Sequence, residues 1–151
     1  MSAGTYSQIN NQIVFAVKFR QKLIHESWED ELYKYITGII TQKNQKLLAI
    51  NGMPDHIHIL IGMRPSCCLS DLVREIKKSS TTFINENNFV KSKFRWQSGF
   101  AAFSYSNSAL NNVIRYILNQ KIHHRKKDFN KEYIENLEKF EVEYRPEYVF
   151  E

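Results

Sequence analysis

Cysteine, proline and glycine are all scarce in this sequence of 151 residues, which has 2 cysteines, 3 prolines and 5 glycines. The cysteines, Cys67 and Cys68, are sequence neighbours, which are poorly placed to bridge each other, and they lack the spacing of a zinc site. The sequence therefore excludes a disulfide framework and favours a reducing compartment. It also lacks repeats, low-complexity tracts and linkers, so we expect one domain over residues 1–151.

Long apolar runs are absent too. No stretch approaches the roughly 20 apolar residues of a membrane span, and residues 1–5 lack the charged and apolar regions of a signal peptide. We therefore expect a cytoplasmic protein without a membrane partner. What the chain does have is 42% hydrophobic residues, enough for a core, and a formal net charge of +5. Excess positive charge favours a polyanionic partner such as nucleic acid.

The hydrophobic periodicity alternates between that of strands and that of helices. The predicted elements are a strand within 8–19, a helix at 27–42, strands at 46–52 and 54–62, a helix after Pro65 and a strand at 100–104. Ser27 is the expected N-cap of the first helix. This order is the ferredoxin-like arrangement. We therefore expect an α+β fold whose antiparallel sheet has its first and third strands in the centre and two helices on one face.

The third predicted strand contains two histidines separated by one residue. Ile57, Ile59 and Ile61 alternate with them, so the isoleucines should face the helices while His56 and His58 share the opposite, open face. Two imidazoles side by side can hold one divalent metal ion. The alternative is a pair of ordinary, half-exposed strand histidines.

The most regular helical pattern spans residues 106–124. Its apolar stripe is centred on Ile114, and at about 100° per residue Tyr116, Gln120 and His123 lie nearly opposite that centre. Tyr116 and Gln120 are four residues apart and hence are neighbours on the helix surface. This pattern predicts a helix that buries one side and offers a tyrosine and a glutamine on the other, although both residue types are also common on surfaces.

Several basic residues lie beside hydroxyl or aromatic side chains. The candidate DNA contacts are Lys77, Lys78, Lys93, Arg95, Trp96, His123 and Arg125. The two lysines of the second helix precede a run of serines and threonines, which indicates either a phosphate-contacting surface or a solvated helix face. Lys93 and Arg95 alternate with aromatic residues, as in grooves that bind single-stranded nucleic acid. For Trp96, the alternative is that it closes the edge of the core.

The combination of the histidine pair with Tyr116 and Gln120 resembles the HUH-motif single-tyrosine transposases, the TnpA-type enzymes of the smallest bacterial insertion sequences. The likeness covers most of the chain. It includes Pro54-Asp55 before the histidine pair, Ser79-Ser80 in the second helix and Trp96-Gln97-Ser98-Gly99-Phe100.

The resemblance implies a ferredoxin-like, RNA-recognition-like sheet with an additional C-terminal catalytic helix. It also implies homodimers that cut and rejoin single-stranded DNA at insertion-sequence ends, which are recognised as hairpins. It maps the nucleophile onto Tyr116, and the ligands of a Mg²⁺ or Mn²⁺ ion onto His56, His58 and Gln120. The phenol would form a phosphotyrosine link to the 5′ DNA end and leave a free 3′ hydroxyl. In such dimers the tyrosine helix of one subunit completes the site of the other, so Tyr116 is expected to act in trans.

Other interpretations remain open at the level of the sequence. His123 and His124 are alternative metal ligands, ranked below Gln120. Residues 128–151 predict a further helix and a tail to which no chemistry is assigned. A REP-associated tyrosine transposase is a related enzyme, while a non-catalytic nucleic-acid-binding module and a small metal-dependent hydrolase are rivals of other classes.

Overall fold

A four-stranded antiparallel sheet organises the chain, which the computed structural model describes for residues 4–123 and 128–149. The strands are β1 (Ile9–Ala16), β2 (Lys46–Met53), β3 (His56–Met63) and β4 (Ala101–Ser104). Their order across the sheet is β2-β3-β1-β4, and all neighbours are antiparallel. The predicted α+β, ferredoxin-like fold with the first and third strands in the centre is confirmed.

Two long helices cover one face of this sheet: α1 (Glu26–Gln42) and α2 (Leu69–Glu86). The N-cap of α1 is His25, whose Nδ1 accepts a hydrogen bond from the backbone N–H of Ser27 at 3.0 Å. The prediction of Ser27 as the cap was therefore wrong by two residues, because an imidazole nitrogen can also accept this hydrogen bond.

The core between the sheet and these helices contains the isoleucines of the third strand. Ile57, Ile59 and Ile61 are fully buried there, as the alternation of the strand predicted. Trp96 also belongs to this core. Its ring packs edge-on against Phe15 with the centroids 4.8 Å apart, and its Nε1 donates to Ser80 Oγ at 2.9 Å. Trp96 as a DNA contact is thus wrong for this conformation, because the indole lies under α2 and cannot stack on a base.

Replacing Trp96 with phenylalanine tests this assignment. The change deletes the hydrogen bond to Ser80 and part of the packed volume, so the free energy of unfolding should fall by about 1–3 kcal/mol. Chemical denaturation measures this loss. Affinity for single-stranded DNA should not change, and weaker DNA binding at unaltered stability would show that the indole contacts a base after all.

The opposite face of the sheet is covered as well, by a chain of shorter helices. These are α3 (Leu110–Leu118), α4 (Gln120–His123), α5 (Phe129–Lys139) and α6 (Pro146–Val149). His56 and His58 are consequently 0% exposed, and the expected open face was wrong. The reason lies in the neighbours of the histidines, since Val14, Ala16 and Leu60 make this face apolar and require a cover.

The predicted helix at 106–124 is interrupted. A short 3-10 turn (Asn107–Ala109) precedes α3, and Asn119, with φ −97° and ψ 18°, separates α3 from α4. The buried side of this segment contains Val113, Ile117 and Gln120, whereas Leu118 is 57% exposed. The buried face of the helix is therefore rotated away from Ile114, its predicted centre, and toward the side of Gln120.

Among the described helices, none combines the length and the apolar character needed to span a membrane.

Candidate active site

Both histidines of β3 are oriented by hydrogen bonds to their Nδ1 atoms. His56 Nδ1 lies 2.7 Å from Asp55 Oδ1, and His58 Nδ1 lies 2.8 Å from Gln12 Oε1 on β1. The Gln12 amide is itself fixed, because its Nε2 donates to the Tyr105 hydroxyl at 3.0 Å. Because the Asp55 carboxylate and Gln12 Oε1 are acceptors, each Nδ1 carries a proton and donates, so Nε2 is the nitrogen of each ring that could bind a metal ion. Partners of this kind orient metal-binding histidines in proteins.

Asp55 remains an anionic partner for His56. Burial raises the pKa of Asp55, but the hydrogen bond and the charge interaction with His56, together with the charge of Arg20, outweigh burial and hold the pKa below its usual value. The carboxylate therefore stays ionised at neutral pH and keeps the His56 ring in one tautomer.

Glu132 on α5 brings a carboxylate to the histidine pair. Its side chain is 4% exposed, and its Oε1 lies 3.2 Å from His58 Nε2. Ligand atoms of His56, His58 and Glu132 lie within 4.8 Å of one another. If His58 donates from Nδ1, its Nε2 lone pair faces a carboxylate oxygen, a repulsive arrangement that a proton or a metal cation between them would relieve. This set of two nitrogens and one oxygen fits a divalent ion.

Tyr116 lies beside the same histidine. The centroids of the Tyr116 and His58 rings are 5.9 Å apart, with the rings perpendicular. Burial raises the pKa of Tyr116 strongly, as do the charge of Glu132 and a hydrogen bond to it, while hydrogen bonds with Gln120 and Asn136 act in the opposite direction. The phenol is therefore neutral at physiological pH and needs a proton acceptor before it can act as a nucleophile.

Gln120 is fully buried and adjoins the tyrosine across the break at Asn119. Its Nε2 donates to the backbone carbonyl of Tyr116 at 3.4 Å, and its side chain is also hydrogen-bonded to the Tyr116 side chain. The structure thus brings Tyr116 beside His58 of the same chain and Gln120 beside Tyr116. Action of Tyr116 in trans stays a prediction.

The tyrosine helix is attached to the sheet by polar contacts at its C-terminal end. Asn51 Nδ2 donates to the Leu118 carbonyl at 3.0 Å. Lys121 Nζ donates to Asn51 Oδ1 at 3.3 Å and to the Gly52 carbonyl at 3.2 Å, and it pairs with Glu29 at 3.1 Å. These contacts join α4 to both β2 and α1, and they position Tyr116 relative to β3.

Phe129, at the start of α5, covers His56. The two rings are stacked, with centroids 3.9 Å apart and planes 18° apart. The Arg20 guanidinium lies 4.8 Å from the Phe129 centroid, and it also donates a hydrogen bond to the side-chain oxygen of Asn130. A cavity of about 260 Å³ borders His56 next to Phe129 and is lined by Lys22 as well. The site therefore adjoins solvent-accessible space at the N-terminal end of α5.

The predicted DNA contacts are dispersed. Lys77 is half-buried and donates to the carbonyls of Gln97 and Gly99, so it secures a loop. Lys78, Lys93 and Arg95 are exposed. The side chain of His123, and the whole of His124 and Arg125, lie outside the described residues, so their predicted roles are not addressed by the structure.

Glu132 is the site residue that sequence reasoning missed. A signal was present, because Phe129, Glu132, Tyr133 and Leu137 recur at helical spacing and place one carboxylate within an otherwise apolar helix face. An acidic residue in such a position requires a partner when it is buried. Its partner, His58, is 74 residues away in sequence, and no local pattern connects the two.

Comparison with known proteins agrees with the fold and the site. The model of the family described as transposase, IS200 like, matches residues 5–120. The chain belongs to this family of transposases, whose members are DNA-processing enzymes. The resemblance to single-tyrosine transposases that the histidine pair and Tyr116 indicated is thereby confirmed.

Individual relatives are distant. The ISDra2 transposase TnpA of Deinococcus radiodurans is 26% identical over 77 residues, which make up 51% of this chain and 55% of that protein. The chain thus matches only about half the length of this relative.

Two solved structures share the fold. A Deinococcus radiodurans protein described as a transposase has a TM-score of 0.65 at 23% identity, covering 80% of this chain and 96% of its own. A REP-associated tyrosine transposase bound to a REP hairpin has a TM-score of 0.61 at 19% identity, covering 82% and 74%.

Proposed function

We propose that the protein cuts and rejoins single-stranded DNA at insertion-sequence ends through a 5′-phosphotyrosine intermediate, with the help of a divalent metal ion. The observation that supports this most directly is the convergence of Tyr116, His58 and Glu132 in one buried site. A nucleic-acid-binding module without catalytic activity would need none of these contacts. A hydrolase that uses only the histidine pair would not need the tyrosine.

The ion would be held by His56 and His58 through their Nε2 atoms and by oxygens of Gln120 and Glu132. Both imidazoles are oriented for this by their Nδ1 partners. Nitrogen and oxygen donors together suit Mn²⁺ or Mg²⁺. When bound, the ion would polarise the scissile phosphate and offset the negative charge of the transition state.

Tyr116 would perform the covalent step. Its phenol oxygen forms a bond to phosphorus while the bond from phosphorus to the 3′ oxygen breaks, so the phosphodiester energy is kept in the tyrosine ester. Glu132, to which the phenol is hydrogen-bonded, would accept the phenolic proton. The departing 3′ oxygen takes up a proton and becomes a hydroxyl. Attack by a 3′ hydroxyl on the phosphotyrosine reverses the step and joins the strands.

The scissile phosphate would reach the site through the cavity beside Phe129. Lys22 supplies a positive charge for an incoming phosphate to this cavity, whose lining also contains the carboxylates of Asp55 and Asp128. Because both imidazoles are fully buried, the Phe129 ring must turn away from His56 to admit DNA. Glu132, almost one helical turn further along α5, can keep its contact with His58 during such a movement.

DNA hairpins are the proposed substrates, and a homodimer is the proposed form. The support for hairpins is the fold shared with a REP-associated transposase that was solved on a REP hairpin. An insertion-sequence enzyme and an enzyme acting on genomic repeats would differ in the hairpins that flank the gene. A cytoplasmic location is part of the same proposal.

Replacing Glu132 with glutamine tests its role in metal binding. The change keeps the volume but removes the negative charge beside His58, so affinity for Mn²⁺ should fall on the order of 10–100-fold. Isothermal titration calorimetry with Mn²⁺ measures this directly, without DNA. Glu135→Gln, an exposed position on the same helix, is the matched control and should bind Mn²⁺ like the parent protein. Equal affinities for all three proteins would remove Glu132 from the ligand set.

A further inference from the structure

An open cleft lies on the outer side of the segment that follows β1. Its volume is about 380 Å³, within the range of roughly 300–1,000 Å³ typical of small-molecule sites. It is lined by Lys18, Phe19, Gln21, Ser92, Lys93 and Arg95. Three of these six residues are cations, and none of the six is acidic. The cleft is therefore suited to an anionic ligand.

Phe19 is the most unusual of the lining residues. It is 65% exposed, and its backbone is left-handed at φ 60° and ψ 18°. The next residue, Arg20, is left-handed too, at φ 56°. Side chains with a Cβ atom avoid this region, and the exposed Phe19 ring, whose centroid lies 5.2 Å from Lys18 Nζ, is not buried in a core that would offset the strain. Two such residues in succession point to a function for the conformation.

The backbone that precedes Phe19 is hydrogen-bonded to two other segments. The Val17 N–H donates to the Asp55 carbonyl at 2.8 Å, and the Lys18 N–H donates to the Arg95 carbonyl at 3.0 Å. These hydrogen bonds link the segment both to the residue before His56 and to the loop that carries Lys93. The start of the turn is thus hydrogen-bonded to the connection between β2 and β3 and to the loop before β4.

The left-handed pair sends two adjacent side chains in opposite directions. Arg20 reaches Phe129 and Asn130 at the cover of the active site, while Phe19 projects into the cleft. Neighbouring residues of one turn therefore line the cleft and contact the cover of the active site, so a strand bound in the cleft can continue toward the histidine pair.

We infer that this cleft is a subsite for an unpaired nucleotide of the strand that leads to the active site. The base stacks on the Phe19 ring, and the phosphates that flank the base pair with Lys18, Lys93 and Arg95. An exposed aromatic ring surrounded by cations is the combination that single-stranded nucleic acids require, because every base has a face that can stack. The inference rests on the proposed function for its substrate, single-stranded DNA.

The test uses an unstructured single-stranded oligonucleotide with 2-aminopurine near its labelled end, titrated with the intact protein. The parent protein should quench the 2-aminopurine fluorescence as the base stacks. Phe19→Ala should abolish the quenching and weaken binding by about 5- to 100-fold, the usual effect of losing one stacking platform. Phe19→Gly, which the left-handed backbone accommodates without strain, should behave in the same way and covers the case in which the alanine variant misfolds.

Charge is tested separately. Lys93→Ala with Arg95→Ala should reduce the slope of log affinity against log salt by about 1.4, or 0.7 for each phosphate that no longer pairs with a cation. Lys34→Ala with Lys43→Ala removes the same charge from exposed positions elsewhere and should leave the slope unaltered. Equal reductions in both double variants would show that only the net charge matters, and would overturn the subsite.

The outcomes separate this inference from the proposed function. Full binding and quenching by both Phe19 variants would overturn the subsite, even if the parent protein forms a covalent adduct with DNA. Conversely, both variants could lose binding and quenching while the parent protein forms no covalent adduct with a single-stranded insertion-sequence end. That result would support the subsite and count against the proposed chemistry. A duplex oligonucleotide of equal length should bind equally well to the parent and the Phe19 variants, and a loss of duplex affinity equal to the single-strand loss would overturn the stacking of an unpaired base.

Discussion

Replacing Tyr116 with phenylalanine should abolish the covalent protein–DNA adduct while DNA binding persists. The change deletes one oxygen atom, the one that would attack phosphorus, and leaves the ring in its place near His58. Loss of a covalent nucleophile typically lowers the rate on the order of 10⁴–10⁶-fold. The measurement is incubation with a single-stranded insertion-sequence end and Mn²⁺, followed by denaturing electrophoresis to detect the adduct.

The control for this variant is Tyr6→Phe, which removes the hydroxyl of a tyrosine that is 90% exposed before β1. It should form the adduct at the parental rate. If the Tyr116→Phe protein still produces adduct, the nucleophile is another residue. Fluorescence anisotropy with the same oligonucleotide verifies that binding is retained.

The same variant can separate action in cis from action in trans. We expect a mixture of Tyr116→Phe with His58→Ala to regain the adduct, because in a dimer with exchanged tyrosine helices one intact site is assembled from the two chains. The adduct should then appear on the His58→Ala chain, which a size tag identifies. A site formed wholly within one chain, as the contacts of Lys121 with β2 and α1 would support, would leave the mixture inactive.

Replacing His58 with alanine should eliminate metal binding and cleavage together. The imidazole contributes the Nε2 atom that faces Glu132, and its removal also leaves the side chains of Gln12 and Glu132 without this partner in a buried site. Electron paramagnetic resonance of the unbound ion measures Mn²⁺ binding. At Mn²⁺ concentrations that saturate the parent protein, the His58→Ala protein should show no detectable binding. Adduct formation should disappear in the same samples.

His25→Ala is the matched control for the histidine. That residue caps α1 from an exposed position, so its loss should cost about 1 kcal/mol of stability and leave Mn²⁺ binding intact. Circular dichroism establishes that the His58→Ala protein is folded. A folded His58→Ala protein that binds Mn²⁺ normally would contradict the metal site, even if its cleavage activity is lost.

The sequence allowed the fold and half of the site to be predicted, because both depend on local periodicity. Alternation along β3 placed Ile57 in the core and the two histidines together on the opposite face, and the order of elements determined the sheet. Periodicity cannot reveal what covers a face. The burial of His58 by α5 and its contact with Glu132 depend on residues far apart in sequence.

The errors have a similar origin. Trp96 was ambiguous because an aromatic residue among cations occurs both in nucleic-acid grooves and at the edge of a core, and only the position of Ser80 decides between them. The helix face of Tyr116 was misplaced because the apolar stripe centred on Ile114 is only partly buried, with Val113 and Ile117 in the core beside the sheet. Leu118 remains exposed, while Gln120 occupies the buried position instead.

The cover formed by α5 has a consequence for inactivation by heat. Short segments that pack on the outside of a domain through few buried contacts separate at a lower free energy than its central sheet unfolds. Undocking of α5 would remove Glu132 and Phe129 from the histidine pair while the four strands and the helices α1 and α2 stay intact. Enzymatic activity would then depend on the docking equilibrium of a single helix. On warming, the activity would disappear at a lower temperature than the one at which circular dichroism detects global unfolding.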